Sequence, residues 1–181
     1  MPKILENVKE RIVEEARKQV ESPGYSAMTI RSLAKELKIA TGTIYNYFPS
    51  KQMIVATFMM EEWQTTMNRI KAECDKAENY RDILSAAYNG ILDYCNAHIS
   101  LFEDKEARVG FADAYPGKKN ILISQIAELF EPVCVKKAVN YTPHTSEFLA
   151  ESLMLWVTGH KDLEELYIIT KTLFNENGGL K

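Results

Sequence analysis

The hydrophobic residues of the chain recur at steps of three and four, the spacing that places side chains on one face of an α-helix. The first such stripe consists of Ile4, Leu5, Val8, Ile12, Ala16 and Val20. It predicts a helix over residues 3–21, which the sequence Ser22-Pro23-Gly24 ends. Since no alternating, strand-like run of useful length is present, the pattern predicts an all-α fold.

Two short helices and a long one are expected next. Thr29 is a good N-cap for a helix over residues 30–37, and a turn then leads to a helix over residues 40–47. In the latter, Ile44 and Phe48 have the spacing of core residues. Ser50 caps a fourth helix that extends to about residue 76.

Five more helical segments complete the chain, and none of them contains a specific motif. They cover residues 80–98, 101–109, 118–140, 145–158 and 163–175. We therefore divide the chain into an N-terminal three-helix domain, residues 1–52, and a C-terminal helical bundle, residues 53–181.

The charge of the chain is unevenly distributed. Residues 1–52 contain nine basic and six acidic side chains, whereas the whole chain has a net charge of −3 and a pI of about 5.7. A positive module on an acidic body fits an anionic partner at one end. No apolar run is long enough to span a membrane, and no signal-peptide stretch opens the chain, so we expect a cytoplasmic protein without a membrane partner.

Two short helices joined by a tight turn are typical of a helix-turn-helix, whose second helix enters the major groove of DNA. The early residues of that helix must be small or polar, as Thr41, Gly42 and Thr43 are. Tyr45 and Tyr47 can then contact a thymine methyl group or phosphates. The alternative is that both tyrosines are partly buried packing residues.

Two cations stand where the helix dipole disfavours them. Arg31 lies in the first turn of the second helix and Lys51 in the first turn of the fourth. A phosphate bound at each helix N-terminus would reverse the penalty. The alternative for Lys51 is a solvated side chain.

The stretch from Thr29 to Lys51 closely resembles the DNA-binding signature of the TetR family of transcriptional regulators. The most specific part is Gly-Thr-Ile-Tyr-x-Tyr-Phe-x-x-Lys at residues 42–51. The resemblance implies an Ω-shaped, all-helical homodimer. It implies contacts to DNA at Thr29, Arg31, Thr41, Gly42, Thr43, Tyr45, Tyr47 and Lys51.

The sequence departs from the family pattern at two positions. Lys38 stands where the family usually has glycine, so we expect a strained left-handed backbone there. Ala40 stands where the family favours serine, and alanine cannot cap the recognition helix.

The resemblance also implies that residues 53–181 dimerise and bind an inducer. An apolar effector cavity is predicted from Phe58, Trp63, Met67, Tyr88, Tyr94, His98, Phe102, Phe111 and Trp156. The alternative is that these side chains fill a core. The last two helices carry excess apolar surface, which predicts a four-helix dimer interface with Phe148, Leu149, Leu153, Leu166, Tyr167, Thr170 and Phe174.

We therefore expect a repressor that a small hydrophobic or aromatic effector releases from an inverted-repeat operator in double-stranded DNA. The alternative is a DNA-bound regulator without a ligand, acting through a protein partner. The sequence has no paired Glu-x-x-His, zinc-type ligand set or nucleophile motif, so neither an enzyme nor a cofactor or metal is expected. Cys74, Cys95 and Cys134 are too few and too widely spaced for a disulfide framework.

Overall fold

The computed structural model describes residues 7–114, 118–138, 141–142 and 144–174. Its helices are α1 Val8–Glu21, α2 Ile30–Leu37, α3 Thr41–Tyr47, α4 Lys51–Cys74, α5 Tyr80–Ala97, α6 Ile99–Glu103, α7 Lys105–Ala114, α8 Lys118–Lys137, α9 Thr145–Thr158 and α10 Leu163–Thr170. Within the described ranges the extended pairing is limited to one antiparallel bridge, between Ala138 and Phe174. The all-α prediction is confirmed. None of the described helices combines the length and the apolar character that a membrane span needs.

The segment predicted as one helix over residues 101–109 is two helices, because Asp104 separates them. Asp104 has an extended backbone, and its Oδ1 accepts a hydrogen bond from the N–H of Ala107 at 2.9 Å. Aspartate is among the preferred N-cap residues, so the sequence contained this signal. The last helix also differs: α10 ends at Thr170, and a 3-10 turn, Lys171–Leu173, follows it.

The first of two compact units comprises residues 1–63 and 98–116. Side chains from α1 to α4 form its core together with Leu101 and Ala107, which are 2% and 0% exposed. By packing, this unit therefore extends beyond residue 52, and the functional boundary at that residue stays a prediction.

The second unit comprises residues 64–97 and 117–181. Tyr80 lies in its core, where its hydroxyl donates to Thr170 Oγ1 at 2.6 Å and its ring stacks on Phe174 at 4.1 Å. The Ile70 side chain of α4 fills the space beside Gly90 of α5, since a Cβ built at Gly90 would overlap Cγ1 of Ile70. A larger residue at position 90 would therefore require the buried Ile70 side chain to shift.

Candidate nucleic-acid interface

Helix α3 separates its residues sharply between core and solvent. Ile44 is fully buried and Phe48 is 3% exposed, whereas Tyr45 and Tyr47 are 54% and 46% exposed. The predicted orientation of these four side chains is confirmed. Two large aromatic side chains on a seven-residue helix thus leave about half of their surface exposed, and this surface is available to a partner.

The small residues at the start of α3 are also accessible. Thr41 and Gly42 are exposed and Thr43 is partly exposed. A Cβ built at Gly42 would meet nothing within 4 Å, so the packing of the protein does not require glycine there. Glycine in a helix costs about 1 kcal/mol relative to alanine, and this cost is consistent with close approach of an external partner.

The backbone before α3 follows the expectations for the two unusual positions. Lys38 ends α2 in the left-handed conformation, at φ 55° and ψ 43°. Ala40 precedes α3 in an extended conformation and makes no side-chain cap. Both predictions are confirmed, because the tight turn imposes the left-handed geometry whichever residue occupies it.

Thr29 is held at the start of α2 by a reciprocal cap. Its Oγ1 accepts from the N–H of Ser32 at 3.0 Å, and Ser32 Oγ accepts from the N–H of Thr29 at 2.9 Å. The predicted N-cap is confirmed. Ser50 similarly caps α4, accepting from the N–H of Met53 at 3.3 Å.

An open concavity of about 420 Å³ brings several predicted contact residues together. Its lining includes Thr29, Arg31, Tyr45, Ser50 and Lys51. The N-termini of α2 and α4 thus border the same hollow, and backbone N–H groups at helix N-termini favour anions. The geometry suits a phosphate group.

Lys51 is less available than the sequence indicates. Its side chain is 14% exposed, and its Nζ lies 2.7 Å from Glu106 Oε1. The ammonium also donates to the carbonyl oxygens of Tyr25 and Met28 at 3.3 and 3.4 Å and sits 4.2 Å from the centre of the Tyr25 ring. The sequence suggested either a phosphate clamp or a solvated side chain for Lys51. Neither interpretation included an ion pair with Glu106.

A second polar cluster of the first unit was missed by sequence reasoning. Arg17 Nε lies 3.1 Å from Glu62 Oε1, and His98 Nε2 lies 2.8 Å from Glu62 Oε2. The guanidinium of Arg17 also lies over the Phe58 ring, 5.5 Å from its centre. Burial lowers the pKa of His98, and the carboxylate of Glu62 opposes that shift. This cluster joins α1, α4 and the start of α6.

The residues predicted to line an effector cavity are not gathered in one place. Phe58 and Trp63 are buried in the first unit, and His98 contacts Glu62 there. In the second unit the Tyr88 hydroxyl donates to the carbonyl oxygen of Lys161 at 2.6 Å. The others are Tyr94, half-buried; Phe102, 40% exposed; Trp156, half-buried and under the Lys161 ammonium; and Phe111, whose side chain lies outside the described residues.

The second unit instead has a cavity of about 510 Å³ between α4, α5 and α8. Of the predicted residues whose side chains the structure describes, only Met67 lines it. The lining combines buried apolar side chains with a polar rim: Met67, Ile83, Leu129 and Val133 below, and Gln64, Asn68, Lys71, Asp75, Glu78, Asn79, Gln125, Glu128 and Lys136 around them.

Most of the residues predicted for a dimer interface are already covered within the second unit. Five of them are at most 4% exposed: Leu149, Leu153, Leu166, Thr170 and Phe174. A buried side chain has little area to offer a partner, so these five residues belong to the core of the second unit and not to its surface. Tyr167 is half-buried, and Phe148 is 53% exposed. Leu155 of α9 and Ile168 and Ile169 of α10 are also more than half exposed.

The three cysteines have the character of buried thiols. Cys134 is buried, Cys74 and Cys95 are partly buried, and all are unpaired with one another. Burial raises the pKa of Cys74 and of Cys134 to about 11 and also raises that of Cys95. Thiols with raised pKa values are poor nucleophiles.

The fold and the exposed α3 surface define an all-helical protein with a helix-turn-helix unit. Residues 12–57 match the model of the bacterial regulatory proteins of the tetR family. The match covers the helix-turn-helix region in which the signature was identified, so the N-terminal region is similar to that of this family.

Curated relatives match over the N-terminal region. An uncharacterized HTH-type transcriptional regulator of Bacillus subtilis, YuxN, is 33% identical over 87 residues, which cover 46% of this chain and 30% of that protein. The HTH-type transcriptional repressor KstR of Mycolicibacterium smegmatis is 37% identical over 54 residues, covering 30% and 24%. The chain thus aligns with less than a third of the length of these relatives.

Solved structures share the fold over nearly the whole chain. Thermus thermophilus FadR, a TetR-family repressor in complex with lauroyl-CoA, has a TM-score of 0.57 at 18% identity, with 96% of each chain covered. Salmonella enterica GusR has a TM-score of 0.59 at 14% identity, with 96% of this chain and 99% of that chain covered. At these identities the likeness concerns the fold alone.

Proposed function

We propose that the chain is a sequence-specific DNA-binding repressor that acts as a homodimer and is released from an inverted-repeat operator by a small molecule. Helix α3 of each copy reads a major groove, and the hollow bordered by α2 and α4 receives a backbone phosphate. Phosphate contacts set the register of such a complex, whereas base contacts set its specificity.

The exposure of α3 carries this proposal. Tyr45 and Tyr47 project into solvent beside Gly42, whose missing side chain no part of the protein needs. Ile44 and Phe48 anchor the opposite face in the core. A short helix held rigidly from behind, with small and hydroxylated residues in front, has the form that a groove-reading helix requires.

Selection of bound fragments from a random DNA pool tests the proposal, and we expect an inverted repeat to be enriched. Tyr45→Ala should then weaken binding to the selected DNA by about tenfold, as loss of a base contact costs about 1–3 kcal/mol. Tyr141→Ala, which removes a similarly exposed tyrosine from the second unit, serves as the control and should bind normally. Enrichment of no sequence would refute the proposal.

Exposed apolar side chains on α9 and α10 support a dimer. Phe148 and Leu155 are seven residues apart and thus lie on one face of α9, and Ile168 and Ile169 are exposed on α10. We expect α9 and α10 to pair with their symmetry mates in a four-helix interface. Light scattering should give twice the monomer mass at micromolar concentration, and Leu155→Glu should give the monomer. A monomeric wild-type protein would contradict the dimer.

The cavity of the second unit supports a ligand-responsive regulator over one that acts only through a protein partner. Its buried apolar floor and polar rim fit a small molecule with a hydrophobic or aromatic body. Binding there would release DNA by moving α4, provided that the ligand has different affinities for the DNA-bound and free conformations.

A thermal-shift screen of small apolar and aromatic compounds tests the effector site. A compound that binds should raise Tm and weaken binding to operator DNA. Val133→Trp, which fills the cavity floor, should abolish the shift, whereas Val135→Trp, at an exposed position of the same helix, should preserve it. If a compound released DNA equally well from Val133→Trp, the effector site would lie elsewhere.

A further inference from the structure

We propose that Glu106 tunes the DNA-binding surface by holding the Lys51 ammonium in an ion pair that a DNA phosphate must displace. The inference rests on the proposed function and adds a residue outside the helix-turn-helix. The carboxylate and ammonium are 2.7 Å apart within the first unit.

The position of Glu106 is fixed by packing as well as by its charge. Ala107 is fully buried in the core of the unit, and Asp104 Oδ2 accepts from Ser26 Oγ at 2.6 Å. One turn further, a Cβ built at Gly110 would lie 3.0 Å from Cγ of Gln52. The start of α7 is therefore held against the loop before α2 and against the first turn of α4, whether or not Glu106 is charged.

The two partners differ in exposure. The Lys51 side chain is 14% exposed and that of Glu106 is 53% exposed. The ammonium thus depends on nearby acceptors, and besides the carboxylate these are the carbonyl oxygens of Tyr25 and Met28. Glu106 keeps contact with water and with the N-terminal dipole of α7, so the carboxylate stays solvated when a phosphate replaces it as the partner of Lys51.

Exchange of partners changes how binding depends on salt. A lysine that contacts phosphate normally releases about 0.9 counterion from DNA. Here Glu106 would lose the Lys51 ammonium in the same step and would take up a salt cation from solution in its place. Lys51 should therefore contribute little to the salt dependence while Glu106 is present and its full share when Glu106 is neutral.

A double-mutant cycle tests this exchange, with binding to selected operator DNA measured across a salt series. Glu106→Gln is nearly isosteric with the native side chain. It should bind more tightly at 0.1 M salt and steepen the plot of log affinity against log salt by about one unit per subunit. Lys51→Gln should change the slope little in the native background but should remove that gain in the Glu106→Gln background.

Glu103→Gln provides a matched control, because it makes the same charge change at an exposed position of α6. It should leave the slope unchanged. Glu106→Asp, which keeps the charge on a shorter side chain, should have a slope between those of the native protein and Glu106→Gln. Thermal unfolding of each variant should show that the fold is retained.

Two results would overturn the inference while leaving the proposed function intact. The first is an unchanged slope in Glu106→Gln when the native protein binds operator DNA. The second is an equal effect of Lys51→Gln in both backgrounds. If the native protein bound no DNA, the proposed function itself would fail.

Discussion

Replacement of Gly42 by alanine separates a folding role from a DNA-binding role. The site is exposed, and a new methyl group would meet nothing within 4 Å. The substitution therefore removes the helix cost of glycine without creating a clash in the free protein. We expect Gly42→Ala to fold more stably and to bind DNA less well.

The magnitudes follow from the geometry. Alanine stabilises a helical position by about 1 kcal/mol relative to glycine, which corresponds to a rise in Tm of about 2–4 °C for a chain of this size. In the complex, the same methyl group would stand between α3 and the base edges. Loss of one good base contact costs about 1–3 kcal/mol, or roughly tenfold or more in affinity.

Thermal unfolding followed by circular dichroism measures the first effect, and fluorescence anisotropy with operator DNA measures the second. Asn46→Ala, another exposed position of α3, controls for helix propensity and should be stabilised with a smaller loss of affinity. The reasoning would be refuted if Gly42→Ala were stabilised as expected and bound operator DNA as tightly as the native protein.

Three further outcomes concern stability. Lys38→Gly should raise Tm by about 2–4 °C, since relief of a left-handed conformation is worth about 1 kcal/mol; an unchanged Tm would show that the turn is unstrained. Gly90→Ala should destabilise the protein by about 1–3 kcal/mol in urea unfolding because its Cβ overlaps the Ile70 side chain, and a neutral result would mean that this side chain can shift at no cost. The lowered pKa of His98 favours its neutral form in the fold, so stability should be full above the unfolded value of about 6.5 and decline as the pH falls through and below it. His98→Gln should lose this dependence.

The elements of the first unit could be predicted because local chemistry determines them. The cap at Thr29, the left-handed turn at Lys38 and the outward orientation of Tyr45 and Tyr47 each depend on residues within one or two helical turns. The family signature then assigned DNA contacts to residues of this unit, and those contacts stay predictions.

The cavity lining and the exposed apolar face of the second unit could not be predicted in the same way. Helical periodicity shows that one face of a helix is apolar, but not whether its own unit or a partner covers it. Leu153 and Leu155 are both leucines on α9, yet the first is fully buried and the second is 57% exposed. Similarly, Phe58 and Met67 both lie on α4 and were assigned to one cavity, although they belong to different units.

Lys51 and Arg31 illustrate a further limit of a sequence signature. The signature gives the residue types, but it does not show how much of each positive charge is available to DNA. Both are cations in the first turn of a helix, and both line the same hollow. Lys51 is offset by Glu106, a residue far away in the sequence, whereas no ion pair of Arg31 occurs among the described residues. We therefore expect Arg31→Gln to flatten the salt dependence of DNA binding by about one unit per subunit, and Lys51→Gln to flatten it much less, although each variant removes one positive charge. Equal slopes for the two variants would show that the two cations contribute alike and that the Glu106 carboxylate has no influence on binding.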